Sequence, residues 1–319
     1  MHKPHILYLT VRRHPEGLRS IVEREITRAN LDFTVISYEE IHKLSDMDLS
    51  KFDAVLLAPA RYLDIKILKN LTNSKLLQIW SSGFDKFNLV EAKTHGHQVA
   101  NNGGSNGQSV AEHTLNLILG VSRRNYEMHQ RVLEGKWDGN DHGLTSRSLY
   151  GKVLGLIGFG NIGQKVGDMA STFGMKYIFF DSNPDLEQHE RFRSLDEILS
   201  MSDYISLHIH LNESTRNILS KEQFLQMERR PFIINVSRAE LIERQALVNA
   251  MKSGQIAGCA MDVHYEEPNN FGDELYKFPN TLFSPHIAGS TFDIYQEAVS
   301  FCINNICAAL DGAKINSLI

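Results

Sequence analysis

The run Val153-Leu154-Gly155-Leu156-Ile157 leads directly into Gly158-Phe159-Gly160-Asn161-Ile162-Gly163, and this pairing constrains the chain more than any other stretch. A short apolar run bounded by glycines reads as a buried strand of a parallel sheet. In the corner that follows, each glycine has a separable task. Gly158 permits the tight turn, Gly160 lets the backbone approach a pyrophosphate, and Gly163 lets the next helix pack on the strand. The helix opening at Asn161 and Ile162 would turn unpaired N–H groups toward the phosphates. Ile162, Val166, Ala170 and Phe173 form one apolar helical stripe that ends at Gly174. A second apolar run, Tyr177-Ile178-Phe179-Phe180, delivers Asp181, which is 181 − 160 = 21 residues past Gly160. That is close to the ~20-residue offset of a carboxylate that binds both adenosine ribose hydroxyls. Such a carboxylate repels a 2′-phosphate, and Ser182-Asn183-Pro184 contains no Arg, so the expected cofactor is NAD rather than NADP.

The turn lies at mid-chain, so a further domain must precede it. A length of 319 residues allows about two domains and a substantial core. Short apolar runs at 6–9, 33–36, 54–58, 76–80 and 98–100 alternate with amphipathic stretches such as 18–29 and 64–71, the pattern of strand-helix-strand units. The polar, glycine-rich loop 101–107 ends at a long helix over 109–124 and marks the boundary. Further strands are expected at 204–208, 232–235, 257–262 and 281–284, and a last helix over 291–310 folds back onto the first domain. The expected class is α/β with two open-sheet domains. A Rossmann-type NAD-binding domain (105–287) is inserted into a flavodoxin-like substrate domain (1–104 and 288–319), with a cleft between them. The stretch 135–148 reads as a long loop, a candidate subunit arm.

Composition narrows the partners. Lys and Arg number 33 against 38 Asp and Glu, a net charge of −5, and the basic residues are scattered, so no nucleic-acid footprint is expected. Cys259, Cys302 and Cys307 form neither an even set nor a metal-ligand spacing, which suits a reducing compartment and predicts no metal site. The N-terminal apolar run is too short for a signal peptide and no 18-residue apolar stretch follows, so the chain is expected to be soluble and cytoplasmic, without a membrane partner.

Three polar residues follow three late strands: Arg238 after 232–237, Glu267 after 260–263, and His286 after 281–285. Ligands of open parallel sheets bind beyond the carboxyl ends of the strands, so all three are expected to face one crevice with the cofactor. Moving a hydride to or from a carbonyl carbon requires a proton at its oxygen, and His286 is suited to supply it near neutral pH. Glu267 beside the imidazole would fix its tautomer and stabilise the imidazolium. The planar guanidinium of Arg238 matches a carboxylate and could polarise the adjacent carbonyl.

Four blocks in this order resemble the D-isomer-specific 2-hydroxyacid dehydrogenase family. They are Val110-Ala111-Glu112-His113-Thr114; Gly155 to Gly163 with Asp181; Asn235-Val236-Ser237-Arg238; and Asp262-Val263-His264-Tyr265-Glu266-Glu267-Pro268 followed by Ser284-Pro285-His286-Ile287-Ala288-Gly289. The resemblance implies that Arg238 orients the substrate, that Glu267 supports His286, and that His286 is the general acid and base. It further implies that backbone N–H groups around Ser82 and Gly83 bind the substrate carboxylate, that Asn106 is an active-site residue, and that Asp262 lies near the nicotinamide carboxamide. His208, Val236 and Gly289 are counted with Asp262 among the cofactor contacts. The implied activity is hydride transfer between NAD and C2 of a small 2-keto or D-2-hydroxy acid of glyoxylate, hydroxypyruvate, D-lactate or 3-phosphoglycerate type. The implied assembly is a homodimer joined through the NAD-binding domain.

The chain departs from the family's usual residues at His210 and Ala239. Trp80 beside the Ser82 loop would narrow the pocket, and Arg61 lies where some relatives hold a second anionic group. Two alternatives accompany this reading. Formate- and phosphite-type dehydrogenases share the family, but formate-specific members carry Gln in place of Glu267. NAD-sensing corepressors share the fold but carry a disordered tail, whereas this chain stops at Ile319 after its last helix.

Overall fold

The computed structural model describes residues 3–137, 139–269 and 272–319, in two compact units: Met1–Asn106 with Ser290–Ile319, and Gly107–Gly289. Among the described residues no helix is long and apolar enough to cross a membrane.

The first unit is built on five parallel strands, β1 (His5–Thr10), β2 (Asp32–Ser37), β3 (Ala54–Leu57), β4 (Leu77–Ile79) and β5 (Val99–Ala100), in the order β2-β1-β3-β4-β5. This is the flavodoxin-like order. Side chains alternate between faces along a strand, so a sheet covered on both sides needs apolar residues at every position. Strand β3 meets that requirement throughout, and β1 meets it over residues 6–9. Leu7, Leu9, Val55 and Leu57 pack on one face with Leu68 and Ala92, while Ile6, Tyr8, Ala54 and Leu56 pack on the other with Val22, Ile26, Val299 and Ile306. The second face is therefore covered by helix Glu16–Arg28 and by the C-terminal helix Phe292–Leu310, which Thr291 caps through its side chain.

The second unit carries six parallel strands, β6 (Val153–Ile157), β7 (Lys176–Phe180), β8 (Tyr204–Leu207), β9 (Phe232–Asn235), β10 (Gly258–Met261) and β11 (Thr281–Phe283), in the order β7-β6-β8-β9-β10-β11. A parallel bridge from Phe179 to Phe192 extends the sheet beyond β7. Counted as a one-residue third strand, it gives the dinucleotide-binding order 3-2-1-4-5-6 plus one. Helices Gly107–Arg123 and Asn161–Thr172 cover one face through Val110, Leu115, Ile118, Val166 and Ala170. Helices Leu195–Met201, Lys221–Leu225 and Arg244–Ser253 cover the other through Ile198, Phe224 and Leu247.

Two local features depart from the sequence expectation. The long helix ends at Arg123 because Arg124 adopts φ 50°, and a second helix, Asn125–Leu133, begins at once. That helix buries none of its residues, so no apolar period announces it. The stretch read as a loop over 135–148 contains a helical turn, Gly139–Gly143; Asp138 lies outside the described residues.

The glycine turn is where the backbone is tightest. Gly158 has φ 99°, and a Cβ there would sit 2.5 Å from the His208 carbonyl oxygen; a Cβ on Gly163 would strike the Gly158 carbonyl oxygen. A Cβ on Gly160, by contrast, would meet nothing within 4 Å. Gly163→Ala is therefore expected to lower stability by about 1–3 kcal/mol, the range for overpacking, while Gly160→Ala leaves it unchanged. Urea unfolding of the two variants checks the difference, and equal stabilities would refute this account of the turn.

Candidate active site

In the order β7, β6, β8, β9, β10, β11, the segments leaving the strands present Asp181, the glycine turn, His208, Val236 to Arg238, Asp262 to Glu267, and Ser284 to His286. Five strand spacings of about 4.8 Å make an edge on the order of 24 Å long. Such an edge suits an extended ligand with different chemistry at its two ends.

At one end Asp181 Oδ2 accepts the Phe159 N–H at 2.7 Å and Oδ1 accepts the Asn183 N–H at 2.9 Å. An ionised carboxylate has about four acceptor positions, so this one can pin the turn and still receive ribose hydroxyls. Beside it, Gly160 caps the helix that opens with Asn161 and Ile162. The space above Gly160 is open while Gly158 and Gly163 are closed by backbone, which is the room a pyrophosphate needs. His208 follows β8, against the turn. Its Nε2 lies 2.9 Å from Ser206 Oγ, and its buried Nδ1 has no hydrogen-bond partner among the described residues. Burial pushes its pKa down to about 3, so the ring is neutral at ordinary pH.

Toward the other end, Asn235 is fully buried and braces its own turn. Its Nδ2 donates to the Arg238 carbonyl at 2.8 Å and its Oδ1 accepts the Ser237 N–H at 3.0 Å, while Ser237 Oγ donates to the Leu207 carbonyl at 2.8 Å. This bracing explains the Asn-Val-Ser-Arg block: Val236 is buried, and Arg238 leaves the sheet half-buried from an extended backbone.

His286 and Glu267 meet directly, with Nδ1 at 2.9 Å from Oε1 and 3.0 Å from Oε2. An ionised carboxylate only accepts, so Nδ1 carries a proton and Nε2 is the atom that gains or loses one. The His286 side chain is 45% exposed, enough to reach a ligand. Its φ of 57° lies in the left-handed region, which a residue with a Cβ occupies only when neighbours hold it there.

Asp262 provides that hold. Its carboxylate is 0% exposed; Oδ1 accepts Ser284 Oγ–H at 2.5 Å and the Ile287 N–H at 2.9 Å, and Oδ2 accepts the Ala288 N–H at 2.8 Å. Burial alone would raise its pKa, but hydrogen bonds from His113, Ser284, Ile287 and Ala288 bring it below the usual value. Both of its oxygens face the loop that carries His286. Gly289 closes this segment as the last residue of the unit. The contacts of His113, His264 and Ser284 were not foreseen, although all three stand inside the quoted blocks.

In the first unit, Ser82 Oγ lies 2.6 Å from Asn102 Oδ1 and 2.8 Å from Asn106 Oδ1, and Asn101 Nδ2 donates to the Ser82 carbonyl at 2.9 Å. Ser81 Oγ donates to the Gly83 carbonyl at 2.7 Å. Ser82 and Gly83 are both half-buried. Trp80 packs near Tyr295, ring centres 6.3 Å apart, and the Arg61 guanidinium lies over the Tyr38 ring at 5.4 Å.

A histidine with a depressed folded-state pKa stabilises the fold fully above its unfolded value near 6.5. Below that pH the unfolded chain takes up a proton that the folded chain refuses, and stability falls by about 1.4 kcal/mol per pH unit. His208→Gln should therefore flatten the loss of unfolding free energy between pH 6.5 and pH 4 relative to the parent, as measured by urea titrations across that window. Parallel curves would rule out the buried neutral imidazole.

Residues 115–288 match the family described as D-isomer specific 2-hydroxyacid dehydrogenase, NAD binding domain. A glyoxylate reductase of Thermofilum pendens is 33% identical over 274 residues, 84% of this chain and 81% of that protein. A hydroxypyruvate reductase of Thermotoga maritima is 33% identical over 272 residues, 84% and 85% of the two chains. The crystal structure of D-lactate dehydrogenase with NAD+ from Lactobacillus jensenii superposes with a TM-score of 0.79 at 25% identity, covering 99% of each chain.

Proposed function

This chain belongs to the D-isomer specific 2-hydroxyacid dehydrogenase family, a family of NAD-dependent oxidoreductases, and on that premise we propose that it reduces a small 2-keto acid of the glyoxylate or hydroxypyruvate type. The reading is carried by the Glu267–His286 pair, which leaves Nε2 as the proton-exchanging atom. The chemistry of the two reductases above supports the substrate class.

The cofactor, when bound, supplies the hydride that adds to C2. The glycine turn and Asp181 would hold its phosphates and adenosine ribose, with Asn161, Ile162, His208, Val236, Asp262 and Gly289 lining the same edge. His286 gives its Nε2 proton to the developing alkoxide, and Glu267 stabilises the imidazolium that precedes this transfer. The Arg238 fork binds the carboxylate and polarises the carbonyl. The backbone N–H groups of Ser82 and Gly83, with Asn106 beside Ser82, are the proposed substrate contacts of the first unit. In the reverse direction the same atoms take the proton from a D-2-hydroxy acid.

We further propose a homodimer through the NAD-binding unit. Tyr126, Val132, Leu133, Trp137, Leu144 and Tyr150 are each more than 50% exposed within one short segment, an apolar concentration unusual on a monomer's surface. The cytoplasm is the proposed compartment, since three free thiols suit a reducing environment.

Two measurements test these readings. NADH oxidation across glyoxylate, hydroxypyruvate, pyruvate, branched 2-keto acids and phosphohydroxypyruvate should show turnover. His286→Ala should then lower kcat/KM by about 10²–10⁴-fold, the span for a lost general acid; near-parental activity in that variant would refute the mechanism. Sedimentation should show a dimer that Trp137→Asp with Leu144→Asp converts to a monomer, and a monomeric parent protein would end the assembly proposal.

A further inference from the structure

His286 is joined to β11 through Ser284 and Pro285. Proline fixes its own φ and offers no N–H, so the placement of Ser284 largely sets where the His286 backbone begins. The His286 N–H donates back to the Ser284 carbonyl at 3.0 Å. A second donor shares that carbonyl: His264 Nε2, at 2.8 Å. A carbonyl only accepts, so Nε2 of His264 carries its proton, and in the neutral ring Nδ1 must accept. Nδ1 lies 2.7 Å from Tyr276 Oη, which can donate to it. The tautomer of His264 is thus set from both sides.

The same residue also reaches the other member of the pair. The His264 backbone N–H donates to Glu267 Oε1 at 3.2 Å, and that oxygen is the one 2.9 Å from His286 Nδ1. From the opposite side, Ser284 Oγ gives its single proton to Asp262, and His113 Nε2, 2.9 Å away, is placed to donate to its lone pair. Ser284 is therefore held at its carbonyl by His264 and at its hydroxyl by Asp262 and His113.

From this geometry we propose that His264 is a positioning residue for the Glu267–His286 pair: its ring fixes the Ser284 carbonyl and its amide fixes Glu267, so that the left-handed backbone of His286 and the aim of Nε2 are maintained. The proposal rests on the reading of His286 as general acid and base.

His264→Phe keeps an aromatic ring in contact with Tyr276 and Phe283, whose ring centres lie 5.8 and 6.0 Å away, but removes both ring hydrogen bonds. His264→Gln restores an N–H donor near the position of Nε2. In keto-acid reduction, His264→Phe should lower kcat at least tenfold while leaving the NADH dissociation constant and Tm near the parental values. A loosened Glu267 contact supports the charged ring less, so the loss of kcat/KM should be largest at the alkaline end of the pH profile. His264→Gln should recover most of kcat. Nitrogen-15 NMR supplies a readout independent of turnover: the Nδ1–H tautomer of neutral His286 should dominate in the parent and lose population in His264→Phe. An unchanged His286 tautomer population in that variant would overturn the proposal whatever kcat does. So would a loss of kcat that tracks a loss of Tm and is not recovered by Gln. If the parent protein turns over no keto acid, the catalytic reading fails, and the NMR comparison still decides the positioning.

Discussion

The enclosed carboxylate of Asp262 is the interaction on which the chemistry-bearing end of the sheet depends. Withdrawn from solvent, it is kept ionised by a hydroxyl, two backbone amides and a histidine, and burial would otherwise favour its neutral form. Two of its bonds go to Ile287 and Ala288, the residues just after His286, and one goes to Ser284, just before it. A non-glycine residue at φ 57° needs support on both sides, and one carboxylate supplies it. The strained position and the buried charge therefore belong to one device. Truncating Asp262 would release the loop and orphan the donors around it.

The second constraint is the parallel sheet itself. Its strands are apolar on both faces and its helices cover both, so polar residues are expelled to the strand ends. All strands of the sheet run the same way, so every carboxyl end opens on one edge. Asp181, the glycine turn, Arg238, Glu267 and His286 come from segments spread over more than a hundred residues, and this topology lines them along one edge.

Much of this was legible beforehand. The strands of both sheets fall within a residue or two of the expected apolar runs, because period-two burial on two faces leaves continuous apolar letters. The glycine turn was legible because only glycine tolerates φ 99° at Gly158 and the backbone contact at Gly163. Helix Asn125–Leu133 was not, since a helix that buries nothing leaves no period. The Phe192 bridge was equally silent, because a single paired residue has no pattern to detect. His113 and His264 stood next to motifs, but nothing in their spacing indicated that both would converge on Ser284.

What the sequence by itself determined was the fold class and the dinucleotide turn, because each depends on local sterics or on periodicity; side-chain chemistry at the strand ends made Arg238, Glu267 and His286 candidates. What only the tertiary structure decided was which atoms of these segments meet. The contact of His286 Nδ1 with Glu267, the inward turn of Asp262 and the tautomer of His264 depend on partners brought together by the fold. A hydrogen bond takes its direction from the acceptor it meets, and folding alone brings that acceptor within reach.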